Sequence, residues 1–394
     1  MTTALIAGGG IAGTVTAMAL HKAGIDATVY EAYPDTAAEV GAFMTLMNNG
    51  LDALRAIDCY ELVVKGSFPV DTIQFFTHTG KHLGDSAVGA TTGVDGPHAI
   101  KRAELYNLLR TEAVTRGIPI DHGKRLKDAF FSNDGVTAVF EDGSQASGDI
   151  LIGADGIHSV VRKLIDPEAP TPSYRGATTV CGYASSTLTA PVSTFRFVYG
   201  KRVLFAYTTA PDSQTWWFAN CPGPELSKTE LAAITTAQWR DRVLRLLAGD
   251  RTSARAIVTA TDTIVASNSF DIEPVPTWHR DSMIVIGDAA HVSAPNAGHG
   301  ASMAIEDSIV LAQCLRDLPV PKQAFLAFEQ RRRERVERVV ATSARMGNRA
   351  LPGPVGRIVR DLMLPRLLKR GPRNAADWLT RYHIDWDERV ASLP

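Results

Sequence analysis

"LIAGGGIAGTVTAMALHKAGIDATVYEA" (Leu5–Ala32) is the stretch on which the reading of the chain turns. Ala4–Ala7 is a short apolar run that suits a buried parallel strand. Gly8, Gly10 and Gly13 follow in the pattern G-x-G-x-x-G. The first glycine can make a tight turn, the second lets the backbone approach a pyrophosphate, and the third lets helix and strand pack closely. Residues 11–23 read as a helix, with Ile11, Val15, Met18 and Leu20 apolar and Gly24 at its C-terminal stop. A second apolar run, Ala27–Tyr30, ends at Glu31, 21 residues beyond Gly10, where a carboxylate can accept from ribose hydroxyls. The helix start, with Ile11 and Ala12, offers free N–H groups and a positive end to phosphate. This order of strand, glycine turn, helix, strand and acid predicts dinucleotide binding rather than a bare turn. On this segment alone NAD and FAD both stay open.

Two later stretches repeat the theme. "DILIGADGIHSVVRKL" (Asp149–Leu164) reads as a strand, Ile150–Ala154, ending in Asp155-Gly156 before a helix. "MIVIGDAAHVSAPNAGHGASMAIEDSIVLAQCL" (Met283–Leu315) reads as a strand, Met283–Ile286, then Gly287-Asp288, a small-residue loop and a helix from about Gly298. Each places an acid at the carboxyl end of a strand, where ligands of open α/β sheets sit. Either acid alone could simply cap a helix. Together with the N-terminal pattern they point to one shared site.

On these segments the chain resembles the class A FAD-dependent aromatic monooxygenases, the group that includes para-hydroxybenzoate and salicylate hydroxylases and tetracycline-modifying monooxygenases. The resemblance covers nearly the whole chain. Its three marks stand here as Gly8–Gly13, Asp155-Gly156, and Gly287-Asp288 with Pro295, Gly298 and Gly300. It implies that "HAIKRAELYNLL" (His98–Leu109) carries Arg102 against the FAD phosphate and ribityl chain, and that "GAFMTLMNNGLDAL" (Gly41–Leu54) lies beside the isoalloxazine. It further implies a backbone contact from Leu126 to adenine, and puts the helix start at Gly298, Gly300 and Ala301 against the charge of the reduced flavin. Four positions depart from the family pattern: His299 replaces a Gln, Ser302 an Asn, Phe43 a Gly and Asn48 a Pro.

The implied fold is α/β: a Rossmann-like FAD-binding domain with an inserted β-sheet substrate domain and C-terminal bracing helices. We assign 1–70, 98–172 and 280–345 to the FAD domain, 71–97 and 173–279 to the substrate domain, and 346–394 to the C-terminal helices. Pro-rich connectors at "DPEAPTPS" (from Asp166) and "EPVPTW" (from Glu273) support these bounds. Between them, "STFRFVYGKRVLFAYT" suggests a hairpin turning at Gly200-Lys201. Pairing Tyr199 with Arg202 sets Arg196 opposite Phe205, with Thr194 and Tyr207 on the same face and Phe195, Phe197, Tyr199 and Leu204 on the other. Trp216 and Trp217 read as core. At "GRIVRDLMLPRLLKR" (Gly356–Arg370) a membrane-surface helix is the alternative to a brace.

Net charge is -1 over 394 residues, which argues against a nucleic-acid partner. The one basic cluster, "RRRERVER" from Arg331, reads as a solvated helix face. Four cysteines (Cys59, Cys181, Cys221 and Cys314) form no C-x-x-C pair, so neither a disulfide framework nor a metal site is expected. No run reaches the length of a membrane span, and a cytoplasmic monomer or homodimer is expected.

The implied activity is monooxygenation of a small aromatic or polycyclic substrate, with NADPH or NADH as transient electron donor and oxygen activated at the flavin C4a position. An oxidase, epoxidase or Baeyer–Villiger oxygenase on the same scaffold, or a non-catalytic flavin-binding protein, are the alternatives. Substrate-side candidates are Arg196, Phe205, Tyr207, Pro295 and Asn296. No nucleophile is required, and His299 and Tyr207 are the candidates for a proton relay. His291 reads as a packing residue, and Arg162 is placed near the transient nicotinamide site.

Overall fold

The strand Thr3–Ala7 forms the middle of a sheet because parallel neighbours flank it, Asp26–Glu31 on one side and Ile150–Gly153 on the other. These come from a computed structural model that describes residues 2–34, 42–88, 96–132, 135–185, 190–292, 298–347, 352–369 and 377–391. The six strands lie in the order 279–280, 283–285, 150–153, 3–7, 26–31, 120–122. Only the short outer pair, His279–Arg280 with Met283–Val285, is antiparallel.

Alternate residues of Thr3–Ala7 reach opposite faces of this sheet. A Cβ placed at Gly13 would come 3.2 Å from Ile6 Cγ2, whereas one placed at Gly148 would come 3.0 Å from Leu5 Cγ. The helix Ile11–Lys22 therefore covers one face, and the antiparallel sheet formed by Leu126–Ser132, Gly135–Phe140 and Gln145–Gly148 covers the other. Val15, Ala17, Met18, Ala19 and Leu20 are all fully buried. The helix is apolar all round because the helix Gly300–Asp317 packs on its outer side. Thr16 Oγ1 donates to Ser308 Oγ (2.9 Å), which donates in turn to the Ala12 carbonyl (3.0 Å). As the sequence predicts, the helix stops at Lys22 and Gly24 adopts a positive φ of 75°.

A second sheet has seven strands, in the order 261–271, 173–185, 214–222, 204–209, 194–199, 72–77, 82–87. Its hairpin differs in register from the sequence expectation. Tyr199 pairs with Leu204, and Arg196 faces Tyr207 rather than Phe205. The connection spans Gly200–Val203, because the Gly200 N–H donates to the Val203 carbonyl (3.1 Å) and Asp250 Oδ1 accepts from the Lys201 N–H (3.3 Å). Burial of Val203 also draws the turn inward. Moving the partner of Tyr199 by two residues preserves the faces, since the side-chain period is two.

The helix Pro321–Gly347 corrects the reading of "RRRERVER" as a solvated face. Phe325, Phe328, Val336 and Val339 make a buried stripe, and Arg332, fully buried, takes the position between them. Its guanidinium bonds Glu306 Oε2 (2.6 Å) and Asp307 Oδ1 (2.7 Å) of the helix Gly300–Asp317. Arg335 grips the same Glu306 through two further bonds of 2.8 and 2.7 Å. Burial pushes the Asp307 carboxyl up, but His291 and Arg332 outweigh it and hold the pKa at about 2.

Removing one partner of such a network leaves a buried charge uncompensated. Arg332→Ala is expected to cost about 3–5 kcal/mol, seen as a lower denaturation midpoint, while exposed Arg331→Ala shifts stability by less than about 0.5 kcal/mol. Because the Asp307 pKa is depressed in the fold, its contribution is complete above about pH 4 and lost as pH falls toward about 2.

Candidate functional site

Four adjacent parallel strands end at one edge of the six-stranded sheet, and each ends in a residue singled out above. Ala7 leads to Gly8, Asp26–Glu31 ends at the acid itself, Gly153 leads to Asp155, and Val285 leads to Gly287-Asp288. Backbone bonds lock the loops to one another: the Gly8 N–H donates to the Tyr30 carbonyl (2.9 Å), Ala154 to Ala7 (2.8 Å) and Ile286 to Gly153 (3.0 Å).

The three glycines of the first loop have different surroundings. Gly8 has φ 101°, and a Cβ there would lie 2.4 Å from the Ala154 carbonyl oxygen. A Cβ at Gly13 would lie 1.9 Å from the Gly8 oxygen. At Gly10 a Cβ would meet nothing within 4 Å. The first two positions are glycine for packing, and the third is glycine beside open space at a helix N-terminus, the arrangement a diphosphate requires. Glu31 closes the loop: its Oε2 accepts from the Gly9 N–H (2.7 Å) and its Oε1 from Tyr33 (3.0 Å). Each oxygen keeps a lone pair for a hydroxyl. Leu126 begins its strand close by, since the Lys124 N–H donates to the Glu31 carbonyl (2.8 Å).

Asp155 does cap a helix, as one reading of the sequence allows. Its Oδ2 accepts from the Val160 and Val161 N–H groups (2.7 and 3.2 Å). Its Oδ1 is buried without a protein partner, and burial raises the pKa of the group. An orphaned acceptor of this kind costs about 1–3 kcal/mol unless a ligand or water supplies a donor. Asp288 stands exposed just past the carboxyl end of its strand. The protein packed around it pushes its pKa up, and His291 and Arg102 pull it down. Arg102, exposed at the start of the helix Arg102–Thr115, is thus brought to Asp288 from a distant part of the chain.

Behind Asp288 the turn is fixed by one carboxylate. Asp307 Oδ2 accepts from the Gly287 N–H (3.1 Å) and from His291 Nε2 (2.6 Å). His291 is therefore a packing residue, as its sequence context suggests. Arg162, expected near the transient nicotinamide site, is a buried tie between two loops. It is 1% exposed and donates to the carbonyls of Ile157 (2.7 Å) and Ala289 (2.9 Å), tying the Asp155 loop to the Asp288 loop.

The helix Gly300–Asp317 begins beside this turn, with His299 as its N-cap and Gly298 at φ 67°. A Cβ at Gly298 would lie 3.9 Å from Thr45, so the strand Phe43–Leu46 runs alongside this N-terminus. Ser302 accounts for its departure from the family pattern, since its Oγ accepts from the Met47 N–H (3.0 Å). Asn49 donates to Glu306 Oε1 (2.6 Å). His299 is 4% exposed, and burial, then the Arg335 charge, lowers its pKa to about 4. Its Nδ1 is buried with no hydrogen-bond partner. Pro295 and Asn296 lie outside the described residues.

The seven-stranded sheet turns its other predicted residues away from this cleft. Phe205 is fully buried against Trp217, Trp239 and Val243, beneath the helices Thr236–Leu246 and Ala254–Thr259. Arg196 bonds Gln74 Oε1 (3.0 Å) and the Tyr207 hydroxyl (3.3 Å), which also meets Ser253 Oγ (3.0 Å). Of the three residues expected on the substrate side, Phe205 is covered by these helices, while Arg196 and Tyr207 line a cavity with Phe76, Arg251 and Ser253. The opposite face carries Tyr183, Phe195, Trp216 and Phe218, all with ring centroids within 6.4 Å of Phe43. Lys101 Nζ lies 4.8 Å from the Tyr183 ring centroid and 5.2 Å from that of Trp216. Phe43 and Lys101 belong to paired strands, Phe43–Leu46 and His98–Lys101, that join the Thr45 stretch to this aromatic face.

Sequence reasoning missed Lys101, Asn49, Asp307 and Arg332 as parts of the site and its support. For Asp307 and Arg332 a signal existed: two acids inside the apolar run "MAIEDSIVLA", and an arginine at a core position of a helical stripe.

A model of the family described as "FAD binding domain" matches residues 1–343. The chain is 28% identical over 352 residues to the aurachin C monooxygenase/isomerase of Stigmatella aurantiaca, covering 88% of each. It is 28% identical over 348 residues to the FAD-dependent urate hydroxylase of Mycolicibacterium vanbaalenii, covering 85% of each. The crystal structure of Klebsiella pneumoniae HpxO complexed with FAD and uric acid superposes with a TM-score of 0.82 at 24% identity, over 96% of this chain and 95% of that one.

His299 makes a pH-dependent prediction. Its pKa falls from the ordinary value near 6.5 to about 4 in the fold, so the unfolded chain takes up its proton first as pH drops. Wild type therefore loses stability through this group between about pH 6.5 and 4. His299→Gln is expected to remove that loss, gaining on wild type by up to about 3 kcal/mol at pH 4 in denaturation midpoints measured across the range.

Proposed function

Because this chain belongs to the FAD binding domain family and is an FAD-dependent monooxygenase, we propose that the cleft at the four strand ends holds one FAD and presents it to a small aromatic substrate. The observation that carries this reading is the convergence of Gly8–Gly13, Glu31, Asp155 and Asp288 on one sheet edge. Bound FAD supplies the redox chemistry, accepting a hydride from NADPH or NADH and activating oxygen for transfer.

The chain's own groups divide the binding. Gly10, Ile11 and Ala12 would hold the diphosphate, since a helix N-terminus and an open Gly10 could accommodate it. Glu31 accepts from the ribose, and the adenine lies against the Leu126 strand. Asp288 takes a ribityl hydroxyl, Arg102 balances the phosphate charge, and the orphaned Asp155 Oδ1 accepts a donor from the cofactor side of the cleft or from water. At the other end, the N–H groups of Gly300 and Ala301 stand at the positive end of an 18-residue helix. That terminus stabilises negative charge on the reduced cofactor by about 0.3–1 kcal/mol, and up to ~2 kcal/mol where water is excluded.

The substrate lies between this helix start and the aromatic face of Phe43, Tyr183, Phe195, Trp216 and Phe218, with Lys101 available to an anionic substituent. Burial pushes the Tyr183 phenol up, so it is protonated at neutral pH and can donate but not act as a base. His299, neutral above its depressed pKa, supplies an uncharged imidazole beside the cofactor. Burial of all four thiols with no disulfide supports a reducing, cytoplasmic setting.

Purified protein is expected to be yellow. Asp288→Ala should weaken flavin binding by at least about tenfold, roughly 1.4 kcal/mol, measured by titrating apoprotein with FAD. Retention of flavin as tight as wild type would move the site elsewhere. With an aromatic that stimulates NAD(P)H oxidation, one atom of labelled oxygen should enter the product. Peroxide alone would identify an oxidase.

A further inference from the structure

The helix Pro354–Lys369 is oriented against the usual rule for a helix on a protein surface. The side facing the seven-stranded sheet carries Arg357 and Arg360 together with Leu368, which packs at Gly84. Arg357 donates to the Lys201 carbonyl (3.3 Å), and Arg360 bonds Asp361 (2.7 Å) while lying over the Tyr199 ring, 4.5 Å from the centroid. Its apolar side faces outward. Val355, Ile358, Val359, Leu362, Met363 and Leu367 are each between 49% and 75% exposed, and no residue of the helix is buried. The spacing of these six, at i, i+3, i+4, i+7, i+8 and i+12, places them along one arc about 18 Å long. A contiguous aliphatic patch of this extent marks a contact surface.

The charge on the same arc selects the occupant. Arg366 and Lys369 point outward with the aliphatics, and the arc holds no carboxylate. Asp361, the helix's one acid, is already bonded to Arg360 on the sheet side. From Pro354 to Arg373 the sequence has six Arg or Lys and one Asp, in a chain whose net charge is -1. A second copy docking through this face would bury Arg366 and Lys369 against a surface with no acid to meet them. An anionic lipid surface takes the aliphatics into the acyl boundary and offers phosphates to the cations. No helix among the described residues is long and apolar enough to cross a membrane, so the contact is interfacial.

We propose that the outward face of Pro354–Lys369 seats this protein on an anionic lipid surface, with Ile358, Leu362 and Met363 inserted and Arg366 and Lys369 at the headgroups. The inference is independent of how the cleft is assigned. Holoprotein, checked for bound flavin by absorbance, is floated with vesicles of phosphatidylcholine and phosphatidylglycerol at about two to one, or of phosphatidylcholine alone. Wild type is expected to float with the anionic vesicles, less with the neutral ones, and less at about 0.5 M than at about 0.05 M salt. Arg366→Gln with Lys369→Gln should weaken binding by about fivefold per charge, equivalent to about 1 kcal/mol each. Ile358→Ser, Leu362→Ser and Met363→Ser together should abolish it while flavin content stays that of wild type. Wild type remaining in the buffer with both vesicle types would overturn the proposal, as would a triple variant that floats like wild type. So would light scattering that shows a dimer which the triple variant converts to a monomer, since the face would then cover a second copy.

Discussion

At Gly8 and Gly13 two pieces of backbone pass so closely that no side chain fits between them. A Cβ at Gly13 would sit 1.9 Å from the Gly8 carbonyl, a distance that only a shift of helix against strand could relieve. This contact seats the helix Ile11–Lys22 directly on the strand it follows and sets its N-terminus over the ends of the neighbouring strands. The helix Gly300–Asp317 is then held to the first through the Thr16–Ser308–Ala12 bonds, and a Cβ at Gly287 would sit 3.3 Å from Ala12. Both helix N-termini consequently open into one cleft. An alanine usually stabilises a helix interior relative to glycine by about 0.5–1 kcal/mol. Here the steric term is far larger and reverses the sign.

Charge is distributed in two layers behind and within that cleft. The rear layer, Glu306, Asp307, Arg332 and Arg335 with His291, is satisfied by short bonds. Such networks are rigid because each lost bond leaves a desolvated charge. The front layer is the opposite. Asp155 has an orphaned oxygen, Asp288 has its pKa pushed up, and His299 has a buried nitrogen without a hydrogen-bond partner. Asp307 belongs to both, since one of its oxygens meets Arg332 and the other fixes Gly287 and His291. The satisfied layer thus holds in place the loop that carries the unsatisfied one, as expected of a site whose polar groups await a ligand.

The glycine turns and strand ends were legible because their requirements are local. Tight turns need glycine, and an acid at a strand end has few structural uses. The supporting network was less legible because its partners are far apart in sequence: Asp307 meets Arg332 across 25 residues, and Asn49 meets Glu306 across 257. Read alone, "RRRERVER" has the composition of a wet surface. Only the stripe of Phe325, Phe328, Val336 and Val339 shows that Arg332 must point inward. The bridging role of Arg162 was hidden for a related reason, since nothing in its neighbourhood announces that its hydrogen-bond partners are carbonyls of two separate loops.

The seven-stranded sheet shows where alternation stops being informative. The hairpin pairing was off by two residues, yet the partition into faces survived, because an even shift leaves every side chain on its side. What alternation cannot supply is which face meets the cleft. Both faces are aromatic: Phe205 and Trp217 stack on one, and Phe195, Trp216 and Phe218 crowd the other. Polar residues did not decide it either, for Arg196 and Tyr207 bond each other beside the helix-covered side. The deciding residue lies elsewhere in the chain. Phe43, standing where the resembled family has glycine, places its ring among Tyr183, Phe195, Trp216 and Phe218, and two residues later Thr45 lies beside Gly298. One short strand thus touches both the aromatic face and the helix start. On the proposed assignment its extra ring narrows the space between them, which favours a flat substrate held edge or face against aromatic neighbours over a bulky one.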